Sequence, residues 1–419
     1  MRVAAPPIVP YGRFGPRPSF GILSSYPPTP CGLATFTAAL ARGLTGKGAD
    51  VRVVRVADDH SLSPDPVIGE LVNGSPASVA ASAELLNQCD VAIVQHEYGL
   101  FGGRDGDEVL SILGGLRVPS IVIAHTILAD PTPHQRDVLV AVAALADQVV
   151  VMSEAARVRL CTTFDVDPTR VVTIAHGAAI AASTAAVPAA TTTAATATTA
   201  ATATPQRRSL RPFSAARPLQ PSRPVLLTWG LIGPGKGIER MLDAMPALHQ
   251  LPMQPQYLVA GSTHPKVLAA DGEAYRDARI AQARRLGVAD SVRFDDDYRD
   301  LASLNALIAS AAIVVLPYDS TDQVTSGVLV DAIAAGKPVV ATAFPHAVEL
   351  LASGAGLVVD HAAPDAMAAA IRRVLLEPGL ADHMATQARR IAPSLGWPVV
   401  AAAYLELADR LRSARRVLV

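Results

Sequence analysis

Two doubly wound α/β domains, separated by a segment that packs into neither, are what this sequence predicts. Three observations carry the prediction. Short runs of β-branched and aliphatic residues alternate with helical patterns along most of the chain, as parallel strands with crossover helices require. Half of the residues are hydrophobic but only 4% are aromatic, which suits strands buried on both faces. A low-complexity stretch splits the alternation into two series, and 419 residues exceed what one typical core holds.

Composition narrows the function. A formal net charge of −1 gives no electrostatic case for a nucleic-acid surface. The cysteines, Cys31, Cys89 and Cys161, are widely spaced and form no CxxC pair, so neither a disulfide framework nor a metal site is expected and a reducing cytoplasm is the default. The first residues are proline-rich and lack the apolar core of a signal peptide. No run approaches the roughly 18 apolar residues of a membrane span. The expectation is a soluble, cytoplasmic protein, with peripheral membrane contact left open.

Residues 1–19 read as a proline-rich tail. Phe20 to Ser24 is a strand, and after the turn YPPTPCG a helix runs from about Leu33 to Leu44 with Leu33, Phe36, Leu40 and Leu44 on one face. Strand Val51 to Val56 completes a βαβ unit. Ser75 and Pro76 form an N-cap and first-turn pair for a helix ending near Gln88. Strands follow at Val91 to Gln95, Ser120 to Ala124, Gln148 to Met152 and Val171 to Ile174, closing a first domain over 20–180. Residues 181–223 are rich in Ala, Thr and Pro, without an apolar face, and read as a flexible linker.

The second series occupies 224–395. Its strands are Val225 to Trp229, Gln256 to Ala260, Ser291 to Phe294, Ile313 to Leu316, Pro338 to Ala341 and Leu357 to Val359. Apolar helices follow at Met367 to Leu376, Leu380 to Ile391 and Val400 to Leu411, and the last, within 396–419, is a candidate to return and brace the first domain. A cleft between the domains is the expected binding site.

Two loops stand out. DSTDQVTSGVLVDAIAAG, Asp319 to Gly336, lies between two buried strands, so its loop sits at a strand's carboxyl end, where open α/β sheets bind ligands. Ser326 and Gly327 fall where its helix begins and offer a cap hydroxyl and an unobstructed N–H to an anion; an ordinary capped helix start is the alternative. WGLIGPGKG, Trp229 to Gly237, follows a strand and precedes a helix, with glycines for close phosphate approach and Lys236 for charge. It fits GxxxxGK, yet Gly237 stands where an ATPase needs Ser or Thr for magnesium. A glycine turn with a solvated lysine is the plain reading. Asp295, Asp296 and Asp297 follow a strand in the second series and read as a solvent-exposed acidic loop rather than a metal-binding DxD.

The ordered set of segments resembles the retaining glycosyltransferases of family 4, the group 1 type, with the GT-B fold of two Rossmann-like domains facing a cleft. The second half carries GLIGPGKG, YLVAGSTHP, VRFDDDYRD, VVLPYDS, DQVTSGVLVDAIAAGKPVVAT and VELLASGAGLVV in the family's order. The first half carries SSYPPTPCGLATFTAALARGL, VQHEYGLF, IVIAHT, VVVMSEAARVRL and VVTIAHGA. The likeness spans Phe20 to about Arg412, apart from the linker.

The resemblance implies roles position by position. Lys236 matches the lysine that holds the donor diphosphate, while Leu231 occupies the place of its arginine partner. Gln323 and Asp331 stand where the family carries two glutamates, the first facing the donor sugar and the second the ribose; Gln323 brings no negative charge to a developing oxocarbenium ion. Ser326, Gly327 and Val328 offer amides to the phosphates. Gly32 resembles a glycine turn near the donor, and His125, in IAHT, matches a histidine facing the transferring sugar; on its own it reads as a strand-end histidine satisfied by local backbone. His96 and Glu97 are acceptor-side candidates, with a solvated loop the alternative. Ser153 and His176 are interdomain or nucleotide-contacting candidates, and Glu349 a nucleoside-facing one.

The resemblance implies a metal-independent, retaining transfer of a hexose, mannose or glucose first, to a glycan, lipid or small polar acceptor. No cofactor is expected beyond the nucleotide diphosphate sugar as co-substrate. The alternative is a catalytically weak sugar-nucleotide or glycan-binding protein on the same fold, for which Leu231 and Gln323 speak. An epimerase or phosphorylase explains the motif order less well.

Overall fold

The computed structural model describes residues 17–29, 31–57, 65–180, 220, 222–297, 299–361 and 363–417. Residues 1–16 of the expected tail and nearly all of the expected linker, 181–219 and 221, lie outside the described residues.

The first sheet contains β1 (Ser19–Ser24), β2 (Asp50–Ala57), β3 (Val67–Val72), β4 (Val91–His96), β5 (Ser120–Ala124), β6 (Gln148–Val151) and β7 (Val171–Thr173). All seven are parallel, in the order β3-β2-β1-β4-β5-β6-β7. The crossovers are α1 (Gly32–Gly46), α2 (Pro76–Leu86), α3 (Val109–Gly114), α4 (Pro133–Leu145) and α5 (Glu154–Thr163). Local chemistry starts them. Ser75 accepts from Ser78 N–H with Pro76 in the first turn of α2, and Thr132 and Gln135 form a reciprocal capping box on α4. Strand residues alternate between faces: Ile22, Ile93 and Ile121 pack with α1, whereas Leu23, Val94 and Val122 pack with α2, α3 and α4. Each such buried side chain contributes about 1.5–3 kcal/mol.

The second sheet contains β8 (Val225–Trp229), β9 (Gln256–Ala260), β10 (Val292–Asp295), β11 (Ile313–Leu316), β12 (Val339–Thr342) and β13 (Gly356–Val359), parallel in the order β10-β9-β8-β11-β12-β13. Its helices are α6 (Ile238–His249), α7 (Pro265–Asp271), α8 (Ala274–Arg285), α9 (Leu301–Ser310), α10 (Gly327–Ala334), α11 (Pro345–Leu351), α12 (Pro364–Leu376) and α13 (Leu380–Leu395), and the chain then enters α14 (Trp397–Val417). No described helix is long and apolar enough to cross a membrane.

In both sheets the strand order reverses beside the first strand of the series, between β1 and β4 and between β8 and β11. Crevices form at such switch points, at the carboxyl ends of the strands. They receive the loops that follow β1, β4, β8 and β11.

The chain leaves the first domain and returns to it at one place. Ala178 donates to Leu395 O at 2.8 Å, and Trp397 donates to Ala178 O at 3.2 Å. Beyond this pair, Ala401, Tyr404, Leu407 and Ala408 of α14 join the apolar cluster of Phe36, Leu40 and Leu44 on α1. Gly177 admits this return, since a Cβ there would lie 2.4 Å from the Trp397 ring.

β3 is not among the strands expected from the sequence. It is the sheet edge, with Ile68 40% and Val72 53% exposed, so it lacks the unbroken apolar run of its neighbours. Its Glu70 pairs with the wholly buried Arg55 of β2 at 2.8 Å.

Candidate active site

The loops at the carboxyl ends of the two sheets meet face to face. Ser153 Oγ donates to Val324 O at 2.6 Å, and Arg159 Nη1 donates to Asp322 O at 2.7 Å. The His176 ring lies against the start of α10, so that a Cβ on Gly327 would sit 3.0 Å from its Cε1 and Nε2. Ser153 and His176 thus line the contact between domains. Glu349, the nucleoside-facing candidate, has its carboxylate engaged across the domain contact, accepting from the N–H groups of Glu154 and Ala155 at 2.9 and 2.8 Å.

On the second-domain side, the loop after β8 folds tightly onto the loop after β11. Gly237, at φ +63°, lies so close to Pro317 that a Cβ would be 1.6 Å from its carbonyl oxygen. Asp319 N–H donates to Gly235 O at 3.0 Å, and Arg240 pairs with Asp319 at 2.6 Å. This places Lys236 Nζ 4.5 Å above the Tyr318 ring, a cation–π contact that steadies the ammonium. Gly230 backs onto Val328, which brings the lysine loop to the beginning of α10.

The expected trio of phosphate-facing amides is reduced by one. Ser326 N–H donates to His346 Nδ1 at 2.9 Å, a partner twenty residues along that the sequence did not disclose. Burial holds His346 down at about 4, so its ring is a neutral acceptor at pH 7. Ser326 Oγ accepts from Leu329 N–H at 3.3 Å as the helix cap. Among the described residues, the N–H groups of Gly327 and Val328 meet no acceptor, as expected for the first positions of a helix. One turn on, the half-buried Asp331 carboxylate has no hydrogen-bond partner among the described residues, and burial raises it to about 7. Leu231 is half-buried in the lysine loop. Gln323 turns its amide inward, donating to Thr325 O at 2.9 Å.

The first-domain side carries Gly32 at the start of α1, with open space where a Cβ would be. His125, at the end of β5, stands edge-on to Phe36, ring centroids 5.1 Å apart, and Phe36 is likewise edge-on to His176 at 5.0 Å. Burial, aided by His176 and His96 nearby, lowers His125 to about 3. Glu97 is half-buried, accepts from Thr126 Oγ1 at 2.7 Å, and is raised above the usual carboxylate range by burial. His96 does not line an acceptor site directly: it is 0% exposed, and neither ring nitrogen has a partner among the described residues. Lys266 of α7 reaches this side from the other domain, its Nζ 2.9 Å from where a Cβ on Gly99 would be. Nothing in the sequence around Lys266 signals this, because only the fold brings it to Gly99.

The acid triplet departs from an exposed loop in one member. Asp295 ends β10, is buried, and pairs with Arg299 at 2.7 Å and Arg293 at 3.1 Å; Asp296 and Asp297 are exposed. Among the described residues no group of three or more His, Cys, Asp or Glu could hold a metal ion.

Comparison with known proteins meets this geometry. The family profile Glycosyl transferases group 1 matches residues 223–377, and Glycosyltransferase Family 4 matches residues 30–181. The chain belongs to the family 4, group 1 glycosyltransferases. The two matches together take in well over half of this glycosyltransferase and fall one on each sheet. The fold is GT-B. Anabaena HepE, solved with UDP, is 16% identical, with 94% of this chain and 100% of that chain covered and a TM-score of 0.69. Sucrose-phosphate synthase from Thermosynechococcus elongatus is 18% identical, with 95% and 100% covered and a TM-score of 0.70. α,α-Trehalose 6-phosphate synthase from Burkholderia multivorans is 11% identical, with 96% and 98% covered and a TM-score of 0.64. At such identities the likeness is one of fold. No sequence among curated proteins matches significantly.

Proposed function

We propose that this glycosyltransferase moves a hexose, glucose or mannose, from a nucleoside diphosphate sugar to a polar hydroxyl acceptor with retention of configuration. One observation carries the reading: Lys236, the unclaimed N–H groups of Gly327 and Val328, and the unpartnered Asp331 carboxylate converge at the switch point of the second sheet. Positive charge and helix amides suit a diphosphate, and a carboxylate one turn deeper suits the hydroxyls of a ribose. That HepE is solved with UDP and with UDP-glucose supports a uridine donor.

Glycosyl transfer requires the leaving diphosphate to be stabilised as the anomeric bond breaks. Lys236 and the α10 amides supply that charge without a metal, in a cleft where excluded water strengthens each interaction. The acceptor hydroxyl then attacks from the face the diphosphate leaves, with a departing phosphate oxygen taking its proton. His125, Gly32 and Glu97 line the opposite wall, His125 toward the sugar and Glu97 toward the acceptor.

Gln323 favours a second reading, a nucleotide-sugar-binding protein of low catalytic power, since its amide is turned to Thr325 O. Thermal unfolding with UDP, GDP, ADP and their sugar conjugates, followed by an acceptor screen, separates the two. A nucleotide-specific rise in Tm that Lys236→Ala abolishes supports the donor site. Binding without turnover on any acceptor supports the second reading, and no rise with any nucleotide overturns both.

A further inference from the structure

His125 ends a chain of hydrogen bonds whose direction is fixed at its far end. Thr37 Oγ1 lies 2.7 Å from Leu33 O. A carbonyl only accepts, so the Thr37 hydroxyl hydrogen is committed to it. Thr37 Oγ1 can then only accept, and Gln95 Nε2 approaches it at 2.7 Å. This turns the other end of the Gln95 amide, Oε1, toward His125, 2.8 Å from its Nε2. An amide oxygen at that distance requires a hydrogen from the ring. Thr37 and Gln95 are both 0% exposed, so water does not scramble the order.

We propose that Thr37 and Gln95 are positioning residues that lock His125 in the Nε2–H tautomer and present Nδ1 to the substrate as a hydrogen-bond acceptor. Among the described residues Nδ1 has no hydrogen-bond partner. The ring is uncharged at neutral pH, since burial disfavours the cation and the imidazoles of His176 and His96 add to this; the Phe36 edge and the neutral Gln95 amide, the other groups facing it, bring no negative charge to offset them. The inference rests on the glycosyl-transfer reading and refines its substrate. The group that meets Nδ1 must donate, as a sugar hydroxyl does; a uronic acid carboxylate would set lone pair against lone pair.

The experiment is long-range ¹H–¹⁵N NMR of the histidine rings in the substrate-free full chain at pH 7, with a pH titration and parallel kcat and KM measurements. Wild type is expected to show His125 protonated at Nε2. Thr37→Ser keeps the hydroxyl and the tautomer. Thr37→Val frees the Gln95 amide to turn, and a mixture of tautomers appears with kcat lowered roughly tenfold and KM within about twofold. Gln95→Glu sets a carboxylate against Nε2–H, so His125 titrates at least about one pH unit higher, and the acid limb of kcat/KM moves with it. A wild-type Nδ1–H tautomer overturns the proposal, as does a Thr37→Val ring unchanged in tautomer. Should Thr37→Val not fold, the Gln95→Glu titration decides alone: no upward shift overturns the lock. The tautomer is read without substrate, so a correct tautomer with no turnover would count against the proposed activity and leave the lock standing.

Discussion

The carboxylate of Glu349 in the second domain caps helix α5 of the first, accepting from Glu154 N–H and Ala155 N–H at 2.9 and 2.8 Å. With Ser153 Oγ accepting from Ala156 N–H at 3.0 Å, all three leading amides of that helix are satisfied, two of them from across the cleft. A negative charge at a helix N-terminus stabilises it, and here that stabilisation exists only while the domains touch. Glu349→Ala should therefore favour an open arrangement by about 1 kcal/mol. Small-angle scattering should show a larger radius of gyration. An unchanged radius would mean that Ser153 and Arg159 suffice.

Asp331 predicts an inverted pH profile. Unfolded, an aspartate titrates near ~3.9; folded, Asp331 holds its proton to about 7. Between those values the folded state binds more protons, so this group lowers stability as pH rises from about 4 to 7, and the loss persists above. Asp331→Asn should be more stable than wild type at pH 8 by about 1–3 kcal/mol and equal to it near pH 4. Urea denaturation at both values checks the sign, and nucleotide affinity should fall in the same variant.

Gly237→Ala tests the lysine loop. The new methyl would meet Pro317 O at 1.6 Å in a left-handed backbone, so the β8 and β11 loops must part. A loss of about 2 kcal/mol or more is expected, together with loss of nucleotide-induced stabilisation. Retained nucleotide binding would show that Lys236 does not depend on this packing.

Tyr404→Ala tests the return of α14. The side chain is 0% exposed within the cluster that includes Phe36 and Leu40, and deleting a buried aromatic costs about 3–5 kcal/mol. Hydrogen exchange should locate the loss in α1 and β1, although the substitution lies beyond the second sheet in sequence. Loosening confined to α12 and α13 would contradict this.

Much of the fold was legible because its strands are apolar throughout. Val225 to Trp229 and Ile313 to Leu316 appear with the expected bounds, since every residue in them is buried. β3 escaped because an edge strand alternates exposed and buried residues around Gly69. The lysine loop and the start of α10 come together at a switch point, Gly230 against Val328, which strand order alone anticipates. Contacts made across long stretches of chain were not legible: the claim of His346 on Ser326 N–H and the hold of Glu349 on α5. The pairing of Asp295 with Arg299 is local, and it follows from a strand that runs one residue later than expected and so carries Asp295 into the sheet. Side-chain direction at Gln323 follows from its own loop carbonyl, which no spacing rule encodes.

The helix that crosses back at Gly396 also imposes an order of assembly during synthesis. When the first domain has left the ribosome, the apolar stripe of α1 still lacks Ala401, Tyr404, Leu407 and Ala408, which are translated more than two hundred residues later. Until then that stripe is a sticky surface on a nascent chain. A ribosome that stalls between the domains would release a product with its greasy side uncovered, a natural client for chaperones.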